Sequence, residues 1–114
     1  MSEVSQIVTI KVMDALLQRQ TAIAENIANS GSQSYAYKTV EFEAELRAAA
    51  LKGPDAVQSF VARTRSDRLA ESGDSIRLDL EMQSASATAM RFAALSDVLG
   101  RQMQIARIAV RGGQ

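Results

Sequence analysis

The sequence lacks several residue types on which reactive sites and large compact cores commonly depend. It has no cysteine, no histidine and no tryptophan, and it has a single proline. Without cysteine and histidine, the usual zinc sites, thiol nucleophiles and disulfides are excluded, and the commonest general base is missing. Aromatic residues make up only 4% of the chain, so a core has to be built from alanine, leucine, isoleucine and methionine. That composition favours helix packing over a sheet sandwich.

The charges of the chain are balanced, and no apolar run is long. The 13 acidic residues offset 13 basic ones, and without a lysine-rich tract we expect no nucleic-acid partner. No stretch approaches the roughly 18 apolar residues of a membrane span. The N-terminus does not resemble a secretion signal, because Lys11 and Asp14 interrupt the apolar residues that follow a polar start. If the protein leaves the cytoplasm, we expect it to do so without a cleaved signal peptide.

The last third of the chain, residues 78–110, carries an unbroken helical pattern. Its seam has alternating steps of three and four, which are typical of the a and d positions of a coiled coil. The seam consists of Met82, Ala85, Ala89, Phe92, Ser96, Leu99, Met103, Ala106 and Val110. A second stripe makes the apolar face wider than one partner helix needs, and it consists of Leu95, Val98, Ile105 and Ala109. The pattern predicts a long helix with more than one neighbour.

Residues 4–29 predict a second amphipathic helix, with no glycine or proline inside it. Its seam consists of Met13, Leu16, Ile23 and Ile27, with Gln20 as a polar interruption. The helix is expected to end at Asn29, because the following serine and glycine complete a typical C-cap sequence.

The segment between these helices gives weaker signals. Tyr35 and Tyr37 are predicted to project to the same side of an extended stretch over residues 35–40. Residues 41–52 have apolar positions at helical spacing and predict a short helix. The Gly-Pro pair at residues 53–54 is expected to end it.

The remaining stretch, residues 55–75, fits either an irregular strand pair or a mobile connector, with Gly73 in the turn before the last helix. The predicted fold class is mainly α. Long terminal helices, residues 1–30 and 77–111, are expected to pack as a coiled coil and form one inner-core domain, joined by a short irregular segment, 31–76, with or without strands. Such a hairpin leaves the second stripe partly exposed, which predicts a subunit of a helical assembly.

A short motif at the end of the N-terminal helix resembles a signature of bacterial flagellar rod and hook proteins. In that family the pattern is roughly A-x-N-I-A-N, two further residues, and then T-P-G-Y. Residues 24–29 read AENIAN and residues 32–35 read SQSY, which places Tyr35 in register. Serine stands where the family has threonine. The family's proline and glycine are missing, so the tight turn that they specify is not enforced here.

A second resemblance lies at the start of the C-terminal helix. Residues 73–82 read GDSIRLDLEM, similar to the glycine, valine-aspartate and glutamate-methionine region of rod proteins. Residues 90–92 read MRF, where the family commonly has an arginine-tyrosine pair. The matches lie in the family's order and separation, and the chain is most similar to short rod proteins. The motif and assembly residues that the resemblance and the seam single out are Asn26, Ile27, Asn29, Tyr35, Met82, Phe92, Leu99 and Met103.

The resemblance implies a structural subunit of the flagellar basal-body rod. Such subunits are exported unfolded by the flagellar type III apparatus, without a cleaved signal peptide, and assemble in the periplasm. Their terminal helices pack as a coiled coil in the inner layer of a helical tube around the export channel. The implied partners are further copies of the chain, other rod proteins, the adaptor protein between rod and MS ring, and the export apparatus. No cofactor, metal or catalytic residue is implied.

Two functions of other classes compete with this interpretation. A stand-alone helical adaptor or chaperone, binding one partner helix through the C-terminal seam, explains the heptads but not the motif. An enzyme with paired carboxylates among Glu41, Glu43 and Glu45 is disfavoured, because three acids without histidine or a glycine-rich loop are typical of a solvated face. We therefore expect no enzymatic activity.

The two asparagines of the motif also have two interpretations. In the family interpretation Asn26 and Asn29 fix the helix end and hydrogen-bond either a neighbouring subunit or the chain's own loop. Otherwise Asn29 is a simple C-cap and Asn26 an exposed polar residue.

Overall fold

The structure, a computed structural model, describes residues 2–32, 34–67 and 74–112. Within these ranges the chain forms, in order, α1 (Glu3–Ala28), β1 (Tyr37–Val40), α2 (Glu43–Lys52), α3 (Pro54–Ser59), β2 (Thr64–Asp67) and α4 (Asp74–Gly112). The predicted fold class is confirmed. The chain is mainly helical, its long terminal helices pack against each other, and a short segment between them contains strands.

Helix α1 is capped at both ends. The Ser2 hydroxyl accepts a hydrogen bond from the backbone N–H of Ser5 at 3.1 Å, which satisfies one of the free donors of the first turn. At the other end the backbone N–H and the side-chain amide of Asn29 both donate to the carbonyl oxygen of Glu25, at 3.0 and 2.8 Å. The predicted helix over residues 4–29 and its C-cap are therefore confirmed to within one residue.

Helix α4 is the longest of the described elements, with 39 residues. At 1.5 Å per residue it is about 58 Å long, close to the 63 Å extent of the molecule along its longest axis. It contains the predicted helix over residues 78–110 and begins four residues earlier, at Asp74. Two residues singled out in the sequence, Gln33 of the motif and Gly73 of the turn, lie outside the described residues.

Helices α1 and α4 form an antiparallel hairpin. Gln20 donates from Nε2 to the carbonyl oxygen of Ala85 at 3.2 Å, whereas Asn26, later in α1, donates to Glu81, earlier in α4. Gln20 of α1 lies opposite Ala85 of α4, and both helices have the same rise per residue. Counting back from Gln20 to the start of α1, and forward by the same number of residues from Ala85, places the start of α1 opposite about residue 102. Residues 103–112 are all exposed and extend beyond α1 for about 15 Å. We refer to residues 103–112 as the overhang.

The middle segment, residues 37–67, is more regular than its sequence predicts. The extended stretch is confirmed as β1, which pairs with β2 in an antiparallel sheet, Tyr37 opposite Asp67. The short helix is confirmed as α2, and it ends at the predicted place because Gly53 has a φ of 123°, a value that glycine adopts readily. Neither interpretation of residues 55–75 holds over residues 55–67: α3 occupies the beginning of this stretch, and β2 pairs with β1 instead of with a strand of the same stretch. Residues 68–73 of the stretch lie outside the described residues.

The hydrophobic core lies between α1 and the middle segment. Leu16 of α1, Phe42 and Val57 are fully buried and meet there. Burial of a side chain of this size stabilises the fold by about 1.5–3 kcal/mol. Phe92 and Leu95 of α4 pack against the same core. Helix α1 is thus the central element, because it contacts α4 on one side and the middle segment on another.

Candidate assembly surface

Asn26 connects three elements through its side-chain amide. The residue is fully buried, with 0% exposure. Its Nδ2 donates to the carbonyl oxygen of Lys38 at 2.8 Å and to the Glu81 carboxylate at 3.0 Å. Its Oδ1 accepts from the N–H of Lys38 at 2.8 Å and from the Tyr35 hydroxyl at 3.1 Å. Both donors and both acceptor positions of the amide are therefore used, and they join α1 to β1 and to α4.

Glu81 of α4, which accepts the hydrogen bond from Asn26, is buried, with only 8% of its surface exposed, and a cation lies beside it. Nε of Arg77, one turn earlier in α4, lies 3.5 Å from Oε1 of Glu81, which partly offsets the cost of burying a carboxylate. The Arg77 guanidinium also lies 4.6 Å from the ring centroid of Tyr37, a cation–π contact. The rings of Tyr35 and Tyr37 meet edge to face, 5.8 Å apart, so they lie together as predicted.

Arg19 makes a second connection, at the far end of β1. Its Nε and Nη2 donate to the carbonyl oxygen of Val40 at 2.9 and 2.7 Å, and Nη2 also donates to the Glu43 carboxylate at 2.7 Å. The guanidinium lies 4.8 Å from the ring centroid of Phe42. This hydrogen bond from Arg19 lowers the pKa of Glu43 to about 2. Because Nη1 of Arg91 lies 3.6 Å from the other Glu43 oxygen, α1, β1, α2 and α4 are all linked here.

The face of α4 that packs against α1 differs from the predicted seam at alternate positions. Its buried and half-buried residues also recur with steps of four and three, and they are Glu81, Ala85, Thr88, Phe92, Leu95, Leu99 and Gln102. Ala85, Phe92 and Leu99 belong to both seams. The other positions are shifted by one residue toward the N-terminus, because the hydrogen bond from Asn26 places Glu81, and not Met82, against α1.

Met82 and Met103, which the sequence pattern places in the α4 seam, are therefore not core residues of the single chain. Met82 is 56% exposed and Met103 is 55% exposed. The second stripe is divided: Leu95 packs against the core, whereas Val98 and Ile105 are exposed, as expected for a two-helix hairpin.

The exposed half of the predicted seam forms one side of the hairpin. In α4 it consists of Met82, Ala89, Ser96 and Met103, since the last two exposed seam residues, Ala106 and Val110, lie in the overhang. Beside it in α1 lie Ile10, Leu17 and Ala24, all exposed. Seven residues are close to two turns, so each set forms a line along its helix. Ser84 and Arg91, on the other side of the packed seam, face the middle segment. We refer to the two lines of exposed residues together as the open face.

The remaining motif residues stay within the chain. Ile27 is half-buried on the α1 seam, and Asn29 is the C-cap described above. Tyr35 is half-buried and bonded to Asn26. The interpretation of Asn26 as an exposed polar residue is wrong, since its partners are the chain's own strand β1 and helix α4.

Two polar residues of this arrangement were missed from the sequence. They are Arg19 and Glu81, neither of which is among the motif and assembly residues singled out above. A signal for Arg19 exists, because it stands seven residues before Asn26 and so shares its side of α1. Glu81 lies within the second resemblance, but the apolar pattern of α4 gives no sign that it is buried. Its neighbour Met82 fits the apolar period better, and only the cross-helix hydrogen bond reveals which of the two is buried.

The described residues contain no helix that is both long and apolar enough to cross a membrane. In the same part of the chain, no three side chains of His, Cys, Asp or Glu are grouped so as to hold a metal ion. Glu41, Glu43 and Glu45 line an open depression together with Arg19 and Arg65. Glu43 pairs with Arg19, and Glu45 lies 3.5 Å from Arg65.

The geometry defines a class of protein: an antiparallel helical hairpin that leaves an apolar face and a helix end uncovered in the single chain. Compared with models of known protein families, the chain matches none, and a search of the curated proteins finds no significant match.

Proposed function

We propose that the chain is a structural subunit of the bacterial flagellar basal-body rod, most similar to the short proximal rod protein. In this role it assembles helically into the proximal part of the drive shaft across the periplasm and is needed for flagellum assembly and motility. The observation that carries the proposal is the open face, half of the α4 seam left exposed in the single chain. Apolar strips of this kind usually mark an interface, and a helical assembly needs such surfaces on more than one side of each subunit.

The Asn26 bonds give a second line of support. Asn26 and Tyr35 come from the two halves of the first resemblance, and Glu81 comes from the second. These three residues are far apart in the sequence, yet both partners hydrogen-bond the same asparagine. A shared structural role explains why the two stretches occur together in one chain.

The partners follow from the proposal. They are further copies of the chain, other rod proteins, the adaptor protein between the rod and the MS ring, and the type III export apparatus that delivers the subunit without a cleaved signal peptide. The function requires no cofactor and no catalysis.

The proposal is tested by a charge placed on the assembly surface. Met103→Asp introduces a carboxylate at an exposed position of α4, so it should leave the hairpin folded but cost several kcal/mol once a neighbour covers the site. In cells that lack the natural chain, we expect the variant to be exported, to be absent from isolated basal bodies, and to abolish swimming.

Leu51→Asp is the matched control, because Leu51 is a large apolar residue of α2 that is 86% exposed and lies outside the open face. It should support normal swimming. Normal swimming of both variants, or failure of the unaltered chain to enter basal bodies, would count against the rod proposal.

The alternative function, an adaptor or chaperone for one partner helix, is favoured by one feature. The overhang is short and exposed on all sides, which suits a single partner. Such a protein forms a stable, discrete oligomer or heterodimer in solution, whereas a rod subunit is monomeric when dilute and, as its concentration rises, adds copies without reaching a fixed size. Sedimentation of the purified chain over a range of concentrations separates the two.

A further inference from the structure

The overhang has an apolar surface that nothing in the described part of the chain covers. Its exposed apolar residues are Met103, Ile105, Ala106, Ile108, Ala109 and Val110. On a helical projection they occupy all but one side of the helix, and Gln104, Arg107 and Arg111 fall together on the remaining stripe. Residues 103–112 carry two positive charges and no negative one. A helix end of this composition needs an apolar and acidic partner.

The open face has a matching shape. Along α4 its members Ala89 and Ser96, together with the neighbouring Ala93 and Gly100, form a line of small exposed residues. A Cβ atom built at Gly100 meets nothing within 4 Å, so the surface there is shallow and free. Small side chains allow a second helix to approach at the short end of the usual 8–10 Å interaxial distance. Ile10 and Leu17 of α1 form the apolar wall on the other side.

The charges beside the open face are also complementary to the overhang. Asp14 of α1 and Asp79 of α4 are exposed there, and no ion pair to either is present among the described residues. Asp97 borders the same region and lies 3.1 Å from Arg101. The overhang contributes Arg107 and Arg111 and no acid. Opposite charges at the rim of an interface orient the partners even where they add little affinity.

We propose that the overhang of one copy packs onto the open face of the next copy, in a head-to-tail contact. This inference rests on the proposed function and names the partner of the open face. A copy cannot cover its own open face, because α4 is a continuous helix and its last residues extend away from α1. Since the two surfaces share only Met103 and otherwise lie at different places on the chain, the contact is heterologous. It repeats from copy to copy without closing into a two-fold dimer.

The contact is tested by cross-linking, which the absence of natural cysteine makes specific. Ala106→Cys marks the overhang and Ala89→Cys marks the open face. Ala94→Cys is the matched control, an exposed alanine of the same helix about 140° around its axis from Ala89. Full-length variants are mixed in pairs at a concentration at which the chain self-associates, and a short bis-maleimide is added.

We expect the mixture of Ala106→Cys and Ala89→Cys chains (106 plus 89) to give at least about tenfold more cross-linked dimer than the mixture of Ala106→Cys and Ala94→Cys chains (106 plus 94). The reason is that a specific contact raises the local concentration of one thiol beside the other. Arg107→Glu combined with Arg111→Glu should reduce that yield severalfold. Equal yields from the two mixtures, or a higher yield from Ala106→Cys alone, would overturn the head-to-tail contact. The second result means that two overhangs pair with each other.

The outcome is separable from that of the rod proposal. If the chain enters basal bodies and supports swimming but the 106 plus 89 pair gives no excess of cross-links, only the head-to-tail contact is rejected. If the chain never enters basal bodies, the rod proposal is rejected whatever the cross-links show.

Discussion

At the scale of single residues, one buried asparagine determines which side of α4 meets α1. Asn26 uses all of its hydrogen-bonding capacity on β1, on Tyr35 and on Glu81. Because Glu81 is held against α1, Met82 is left on the open face. The exposed methionine line of α4 is therefore a consequence of a polar contact on the opposite side of the seam.

Replacing Asn26 by alanine should be strongly destabilising. Asn26→Ala leaves the backbone N–H and C=O of Lys38 and the buried Glu81 carboxylate without their partner, so we expect the free energy of unfolding to fall by about 2–4 kcal/mol. Urea denaturation followed by circular dichroism measures the change. Gln83→Ala, at an exposed position of α4, is the control and should change it by less than about 0.5 kcal/mol. Similar values for the two variants would mean that the Asn26 bonds contribute little.

The ion pair between Arg19 and Glu43 should make stability depend on pH in the acid range. The Arg19 guanidinium lowers the pKa of Glu43 from 4.5 to about 2. A carboxyl group whose pKa is lower in the folded chain than in the unfolded chain stabilises the fold. This contribution is fully present above the pKa of the unfolded chain, and it is lost as the pH falls through the pKa of the folded chain. We expect Glu43→Gln to cost about 1 kcal/mol at neutral pH, a value kept small by solvent screening of a half-exposed carboxylate.

The difference between the natural chain and Glu43→Gln should shrink as the pH falls from about 4.5 toward 2. Denaturation curves taken between pH 7 and pH 3 test this, with Glu41→Gln as the control for the change in net charge. A difference that stays constant across the range would show that the ion pair is not the cause.

At the scale of elements, α4 has two parts with different surroundings. Residues 81–102 contribute both the packed seam and the α4 line of the open face, whereas residues 103–112 are all exposed. An isolated helical end of this length is marginally stable in water, because nucleation is costly and each added residue gains little. The overhang is therefore expected to be helical mainly when a partner covers it.

Amide hydrogen exchange should separate these two parts. In the dilute monomer, amides of residues 105–112 are expected to exchange at least about tenfold faster than those of residues 84–99, since local opening costs less where no tertiary contact is lost. Mass spectrometry of peptic fragments resolves the two stretches. Equal protection in the monomer would contradict a free overhang, and protection that appears only at high concentration would agree with coverage by another copy.

The elements also differ in how far their sequence predicts them. Helices α1 and α4 were predicted because they are long and periodic, and because the sequence at the end of α1 is typical of a C-cap. Helix α3 has only six residues, too few to display a helical period. Strand β2 reads TRSD, which contains no apolar residue, so it is held by its backbone pairing with β1 and gives no strand signal.

The register of the candidate assembly surface was beyond sequence reasoning for a related reason. Heptad counting selects apolar residues, and it chose Met82 over Glu81 and Met103 over Gln102. The packed positions are decided instead by hydrogen bonds from α1, namely Asn26 to Glu81 and Gln20 to the backbone of Ala85. Such contacts join residues that no local pattern relates.

At the scale of the whole molecule, the chain is an elongated body of 63 × 27 × 14 Å. The middle segment covers one side of the hairpin, and the open face lies on another. An elongated subunit with one covered side, one apolar side and a projecting helix end offers distinct surfaces for distinct neighbours. This asymmetry is what an assembly with a direction requires, since a contact between unlike surfaces does not close on itself.

The pairing of the two terminal helices also sets the order of events when the chain is made. The hydrogen bond from Gln20 spans 65 residues, and the one from Asn26 to Glu81 spans 55. A ribosome completes α1 early, but the part of α4 that packs against α1 does not exist until about three quarters of the chain has been translated. Contacts between such distant residues form late and slowly. During most of its synthesis the chain therefore has α1 and the middle segment but no hairpin, so neither the overhang nor a complete open face exists to meet another copy.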